Sequence, residues 1–197
     1  MDILHIPGSR IFEVAKLAFA TPDVDFLCFG ESDQPSPAVA HAAALASLDA
    51  GETKYIDVRG LPKLRDALAG YLTALHRRPV LESRVQISSS GMGAVSVALA
   101  AIVRAGDRVV LHSPAWPNVG NAVRLRQAEV VELGLTALPD GRFAMDFDRL
   151  DTLLQGARAF ILNSPNTPTG WTAAHQELET ILALCRKHGT WLISDEV

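Results

Sequence analysis

From about residue 85 onward, short β-rich runs alternate with stretches of helical composition, and no other feature narrows the possible folds as far. The runs are "VQIS", "RVVLH", "AEVVEL", "AFIL" and "TWLIS", separated by helical stretches at 94–104, 118–127, 146–155 and 172–187. Strands joined through helices in this rhythm form a mostly parallel sheet covered on its faces. The expected fold is therefore α/β, a three-layer αβα arrangement. In the last helical stretch, Leu178, Ile181, Leu182 and Cys185 fall at i, i+3, i+4 and i+7, and Gly189 is placed to cap its end. Cys185 accordingly reads as core.

Before residue 85 the organisation changes. An irregular arm leads to the turn-rich "FGESDQPSP", then to a helix over 37–50 stopped by Gly51 and another over 61–75. Leu61, Leu64, Leu68, Tyr71 and Leu75 form one stripe on the second helix. No flexible linker marks a boundary. The expected division is 1–45 for an arm and small-domain portion, and 46–197 for a large ligand-binding domain.

With 197 residues, 48% of them apolar and 20% charged, the chain can bury a real core and is not a disordered sequence. A net charge of −4 with only four lysines disfavours a nucleic-acid partner. The longest apolar run, "AVSVALAAIV", is too short to cross a bilayer and reads as a buried helix. Cys28 and Cys185 suggest neither a metal site nor a disulfide framework. The N-terminus carries no charged region followed by an apolar stretch and a cleavage site, so cytoplasm is the expected location.

In open α/β sheets, ligands collect beyond the carboxyl ends of the strands. Three such ends are chemically informative here. "SSSGMGA" offers small residues and main-chain N–H groups at a helix start, which suits an anion but also any tight turn. "SPAWPN" places an indole between prolines, either as a flat face for a planar ligand or as a cover for the sheet edge. "TWLISDEV" ends in two carboxylates, and a buried one needs a cation or water beside it. Phosphate, planar ring and protonated ring atom together describe pyridoxal phosphate, whose ring nitrogen a carboxylate keeps protonated. A nucleotide shares two of these features, but the G-x-G-x-x-G fingerprint is missing.

With "NSPNTPTGW" between the last two strands and "TKYIDVRGLPKLRDALAGYL" upstream, the chain resembles the class I/II aminotransferases of the fold type I pyridoxal-phosphate enzymes. The match runs from "FGESDQPSP" to Val197. The resemblance implies pyridoxal 5'-phosphate as cofactor and an incomplete large domain with part of a small one. It implies that Ser90, Gly91 and Met92 bind the cofactor phosphate, Met92 through its N–H alone. Trp116 would stack on the pyridine ring and Asp195 would face its nitrogen. Tyr55 would reach the phosphate of a neighbouring subunit, implying a homodimer with shared sites, and Gly30 would lie near the substrate carboxylate.

The family places an asparagine immediately before Pro-Thr-Gly, against the phenolic oxygen of the cofactor. Thr167 holds that position here and Asn166 precedes it; Asn163 is expected to tie down the loop. The family's Schiff-base lysine lies well after "DEV", and none of Lys16, Lys54, Lys63 and Lys187 stands in the Ser/Thr-x-x-Lys setting. The resemblance thus implies the N-terminal part of an enzyme that moves an amino group between an amino acid and a 2-oxo acid, inactive alone. Carbon–sulfur lyases, acyl-transferring synthases and non-catalytic sensing domains of the same fold would share these motifs.

Overall fold

The structure, a computed structural model, describes residue 6 and residues 10–197. The described residues fall into two compact units, Arg10–Ser88 and Ser89–Val197. The boundary expected at 45/46 lies inside the first of these.

The second unit is the sheet domain. Helix α4 (Gly91–Ile102) leads to β1 (Arg108–Ser113), α5 (Pro117–Leu125) and β2 (Glu129–Gly134). A two-stranded antiparallel hairpin, β3 (Thr136–Ala137) and β4 (Phe143–Ala144), precedes α6 (Phe147–Leu154), β5 (Ala159–Asn163), α7 (His175–His188) and β6 (Trp191–Asp195). The four longer strands form one parallel sheet in the order β2-β1-β5-β6. The chain leaves β1 toward β2 and later returns to its other side as β5, which creates a switch point between β1 and β5.

Alternation along the strands builds two cores. Val109 and Leu111 of β1, with Ala159 and Ile161 of β5, pack against Val95 and Leu99 of α4 and Val119 and Val123 of α5. Val110, Phe160 and Leu162 point the other way, onto Leu150, Leu153 and Leu154 of α6 and Ile181 and Cys185 of α7. The αβα layering follows from a period of two in strands buried on both faces. The helix ends agree with their sequences. Asp146 accepts from the Arg149 N–H at the start of α6, and Gly189 takes the left-handed conformation, φ 66°, that ends α7.

Several expectations are corrected. "VQIS" is not a strand. A single 3-10 turn (Glu82–Arg84) is followed by extended main chain whose Ile87 N–H donates to Arg59 O, without a continuous ladder beside it. Helix α7 begins at His175, not near 172, because Ala173 N–H is held by Ser164 Oγ and the Glu177 carboxylate takes the Ala174 N–H. The helical stripe over 178–185 is only partly covered: Ile181 and Cys185 are buried, whereas Leu178 and Leu182 stay near the surface.

In the first unit, α1 (Ile11–Ala20), α2 (Ala38–Asp49) and α3 (Pro62–His76) include the two helices read from the sequence. The α3 stripe does not form a core; Leu61, Leu64, Tyr71 and Leu75 are exposed. The buried line of α3 instead carries Arg65, 2% exposed. Its guanidinium donates to Gly60 O at 3.2 Å and to Asp57 at 3.3 Å and pairs with Glu82, which supplies the partners a buried charge requires. Gly60 is required there: φ is +99°, and a Cβ would stand 2.5 Å from Ile87. Among the described residues no helix is long and apolar enough to cross a membrane.

Phe160 is wholly buried in the central strand, so Phe160→Ala is expected to cost about 3–5 kcal/mol in urea unfolding. Burial pushes the Cys185 thiol up to about 11. A thiol reagent at pH 8 is accordingly expected to modify half-buried Cys28 in the native protein and Cys185 only on unfolding. Equal rates at the two cysteines would contradict this burial.

Candidate functional site

The first group is the turn into α4, which follows extended main chain rather than the expected strand. Ser90 is the N-cap, extended at φ −161°, and its Oγ accepts from the Gly93 N–H at 3.0 Å. The remaining N–H groups of the first turn have no partners within the helix and face outward at its positive end. Ser90 and Gly91 are exposed, while the Met92 side chain packs against the core beneath. A Cβ on Gly91 would lie 3.9 Å from Val197, so this turn adjoins the segment just after β6.

Asn163, the last residue of β5, organises the second group. Its amide Nδ2 donates to Asp195 O at 3.2 Å, and its Oδ1 accepts from the Thr167 N–H at 2.8 Å and from Asn166 Nδ2 at 3.3 Å. Ser164 N–H also donates to Asp195 O, at 3.1 Å. The loop and the end of β6 are thereby joined through main chain.

Asn166 is buried, and its amide is engaged at both ends. Besides donating to Asn163, its Oδ1 accepts from the Thr169 N–H at 3.2 Å and from Thr169 Oγ1 at 2.5 Å. Its main chain closes the turn with Trp171 and Gly170. Thr167 is exposed, and its hydroxyl has no hydrogen bond among the described residues. Of the two residues singled out in this loop, only Thr167 has an unengaged side chain.

Asp195 is half-buried, and among the described residues its carboxylate has neither a hydrogen bond nor an ion pair. The neighbouring Glu196 is hydrogen-bonded by Ser194 Oγ at 2.9 Å. The two acidic residues are thus distinguished by their surroundings. A carboxylate partly removed from water with no cation beside it suits a protonated ligand atom.

Trp116 is the N-cap of α5, 36% exposed, directly after β1. It lines a cavity of about 320 Å³ with Ser113, Gly120, Arg124 and Glu132. Tyr55 and Gly30 belong to the other unit; both are exposed. Lys187, the only lysine in the sheet unit, is bonded to Asp151 of α6 at 2.7 Å.

The sequence reading missed one residue, His112, which is buried on β1 with Nε2 3.0 Å from the Asn163 main-chain nitrogen. A polar residue inside the apolar run "RVVLH" was its only signal. It also missed the β3–β4 hairpin, for which "PDG" at 139–141 was a legible turn.

A parallel αβα sheet with a Ser-capped helix start, an aromatic side chain and, among the described residues, an unpaired carboxylate at one end suits a planar ligand that carries phosphate. The aminotransferase class I and II family matches residues 23–197, and the chain belongs to that family, whose members use pyridoxal 5'-phosphate. An aspartate aminotransferase of Thermotoga maritima is 31% identical over 99% of this chain and 52% of its own length. A valine–pyruvate aminotransferase of Mycobacterium tuberculosis is 33% identical over 89% of this chain and 45% of its own. The crystal structure of an aminotransferase from Mycobacterium tuberculosis superposes with a TM-score of 0.90 at 30% identity, covering 100% of this chain and 51% of the other. The chain therefore spans about half the length of these relatives.

Burial holds the His112 imidazole below its ordinary value of 6.5, against an opposing hydrogen bond with Asn163. A folded-state value below the unfolded one gives stability that is full above about 6.5 and declines as pH falls toward the folded value. Denaturant midpoints measured between pH 7.5 and 5 are expected to decrease, with a smaller decrease in His112→Gln.

Proposed function

We propose that this chain forms the cofactor-binding portion of a pyridoxal-phosphate-dependent aminotransferase that moves an amino group between an amino acid and a 2-oxo acid. The carrying observation is Asp195, a half-buried carboxylate with no partner among the described residues, joined through its main-chain carbonyl to the Asn163 loop and two residues before Val197, which adjoins the start of α4. When bound, the cofactor supplies a protonated pyridine ring that draws electrons from a substrate carbon.

The N–H groups of Gly91 and Met92 and the Ser90 hydroxyl hold the phosphate at the positive end of α4. Trp116 stacks on the ring and Asp195 keeps its nitrogen protonated. Thr167, rather than Asn166, offers a side chain to the phenolic oxygen, because the Asn166 amide is engaged within the loop. Tyr55 reaches the phosphate in a neighbouring subunit of a cytoplasmic homodimer, and Gly30 lies near the substrate carboxylate. In the complete fold, residues 1–45 go with the small domain and 46–197 with the large one.

Lys187 stands at the end of α7, beside the start of β6 rather than its Asp195 end, so the sheet unit places no lysine at the site, and 1–197 alone is expected to have no transaminase turnover. Intact mass and visible absorption after adding pyridoxal phosphate are expected to show reversible, non-covalent binding. Asp195→Asn removes the charge of one hydrogen-bond partner and is expected to weaken binding by about tenfold in a fluorescence titration. Unchanged affinity in that variant would overturn the role of Asp195, and turnover by 1–197 free of any longer enzyme would overturn its expected inactivity alone.

A further inference from the structure

The pairing of β1 with β5 stops at Leu111 and Ile161, while β1 stays paired with β2 to Ser113 and β5 with β6 to Asp195. The strands part at one place, the switch point of the sheet. His112 stands there, with Nε2 3.0 Å from the Asn163 nitrogen and 3.1 Å from its carbonyl oxygen. A neutral imidazole accepts the N–H in one tautomer and donates to the C=O in the other, so a single ring nitrogen serves either main-chain group. The Trp171 ring meets the imidazole edge-on at 5.4 Å between centroids, which limits its room to turn.

We infer that His112 is a positioning residue for the loop that carries Thr167, acting through Asn163. Where main-chain pairing between β1 and β5 has ended, the imidazole links the two strands. It fixes the residue whose side chain holds both Asp195 O and the Thr167 N–H. Among the described residues His112 makes its hydrogen bonds to Asn163 and none to Asp195 or Thr167, so its effect on them passes through Asn163. An apolar side chain at 112 leaves a buried main-chain group of Asn163 without that bond, whereas glutamine carries an amide to a similar distance. The inference rests on the proposed function only for what the loop contacts; the tether itself is tested without cofactor.

The test is amide hydrogen exchange on the 1–197 chain as wild type, His112→Leu and His112→Gln, reading Thr167 against Ile181 in α7. In His112→Leu, exchange at Thr167 is expected to quicken by about tenfold while Ile181 is unchanged, and His112→Gln is expected to stay within about threefold of wild type. Equal exchange at Thr167 in wild type and His112→Leu, or equal acceleration in both variants, overturns the inference. If His112→Leu does not fold, 15N spectra of the wild-type imidazole decide: an Nε2 hydrogen-bonded to Asn163 supports the tether and an unbonded Nε2 overturns it. Pyridoxal phosphate titration of the folded variants separates the two readings. Weaker binding in His112→Leu than in His112→Gln carries the tether's effect into the site. Failure of the wild type to bind removes the proposed function and leaves the exchange result standing.

Discussion

The sheet unit depends on β5. All five of its residues are buried, and it pairs in parallel with β1 on one side and β6 on the other. Phe160 and Leu162 fill one core while Ala159 and Ile161 fill the other, so the strand holds both helical layers at once. A large buried aliphatic or aromatic side chain contributes about 1.5–3 kcal/mol through burial, and few segments of this chain concentrate as much of it. Because β5 ends in Asn163, this fully buried strand also delivers the residue that joins the loop to Asp195.

That placement has a chemical consequence. The carboxyl ends of β1, β5 and β6 bring Trp116, the Asn163 loop and Asp195 to one edge, and the start of α4 adjoins it. The loop is held by its own amides. Asn163 and Asn166 satisfy each other and the surrounding main chain, leaving Thr167 outward with its hydroxyl unengaged. In the Arg10–Ser88 unit the balance is different. Its apolar residues Phe12, Phe19, Tyr71 and Leu75 are exposed, and its best-defined interior contact is the Arg65 cluster, where charge and hydrogen bonding do the holding.

Much of this was legible in the residues. Short β-rich runs located β1, β2, β5 and β6, and Gly189 marked the end of α7, because these signals act over a few residues. "VQIS" shows where that locality fails: its composition suits a strand, yet a strand exists only where a neighbour supplies a ladder, and here Ile87 meets the Arg59 carbonyl alone. The α3 stripe fails for the same reason. Periodicity reports a face able to be buried, and whether anything covers it is settled elsewhere in the chain.

The sequence by itself determined the parallel αβα class, the family, the placing of Trp116, Thr167 and Asp195 at or after strand ends and that of Ser90 at a helix start, since pattern and motif are properties of neighbours along the chain. Only the tertiary structure decided that the Asn166 amide turns inward, that among the described residues Asp195 rather than Glu196 is left without a partner, and that His112 meets Asn163 where β1 and β5 part. The Asn166 amide is held within its own loop by Asn163 and Thr169, whereas the His112–Asn163 contact joins residues 51 positions apart and Asn163 reaches Asp195 O across 32. Hydrogen bonds of that kind are chosen by three-dimensional proximity, which no local spacing encodes.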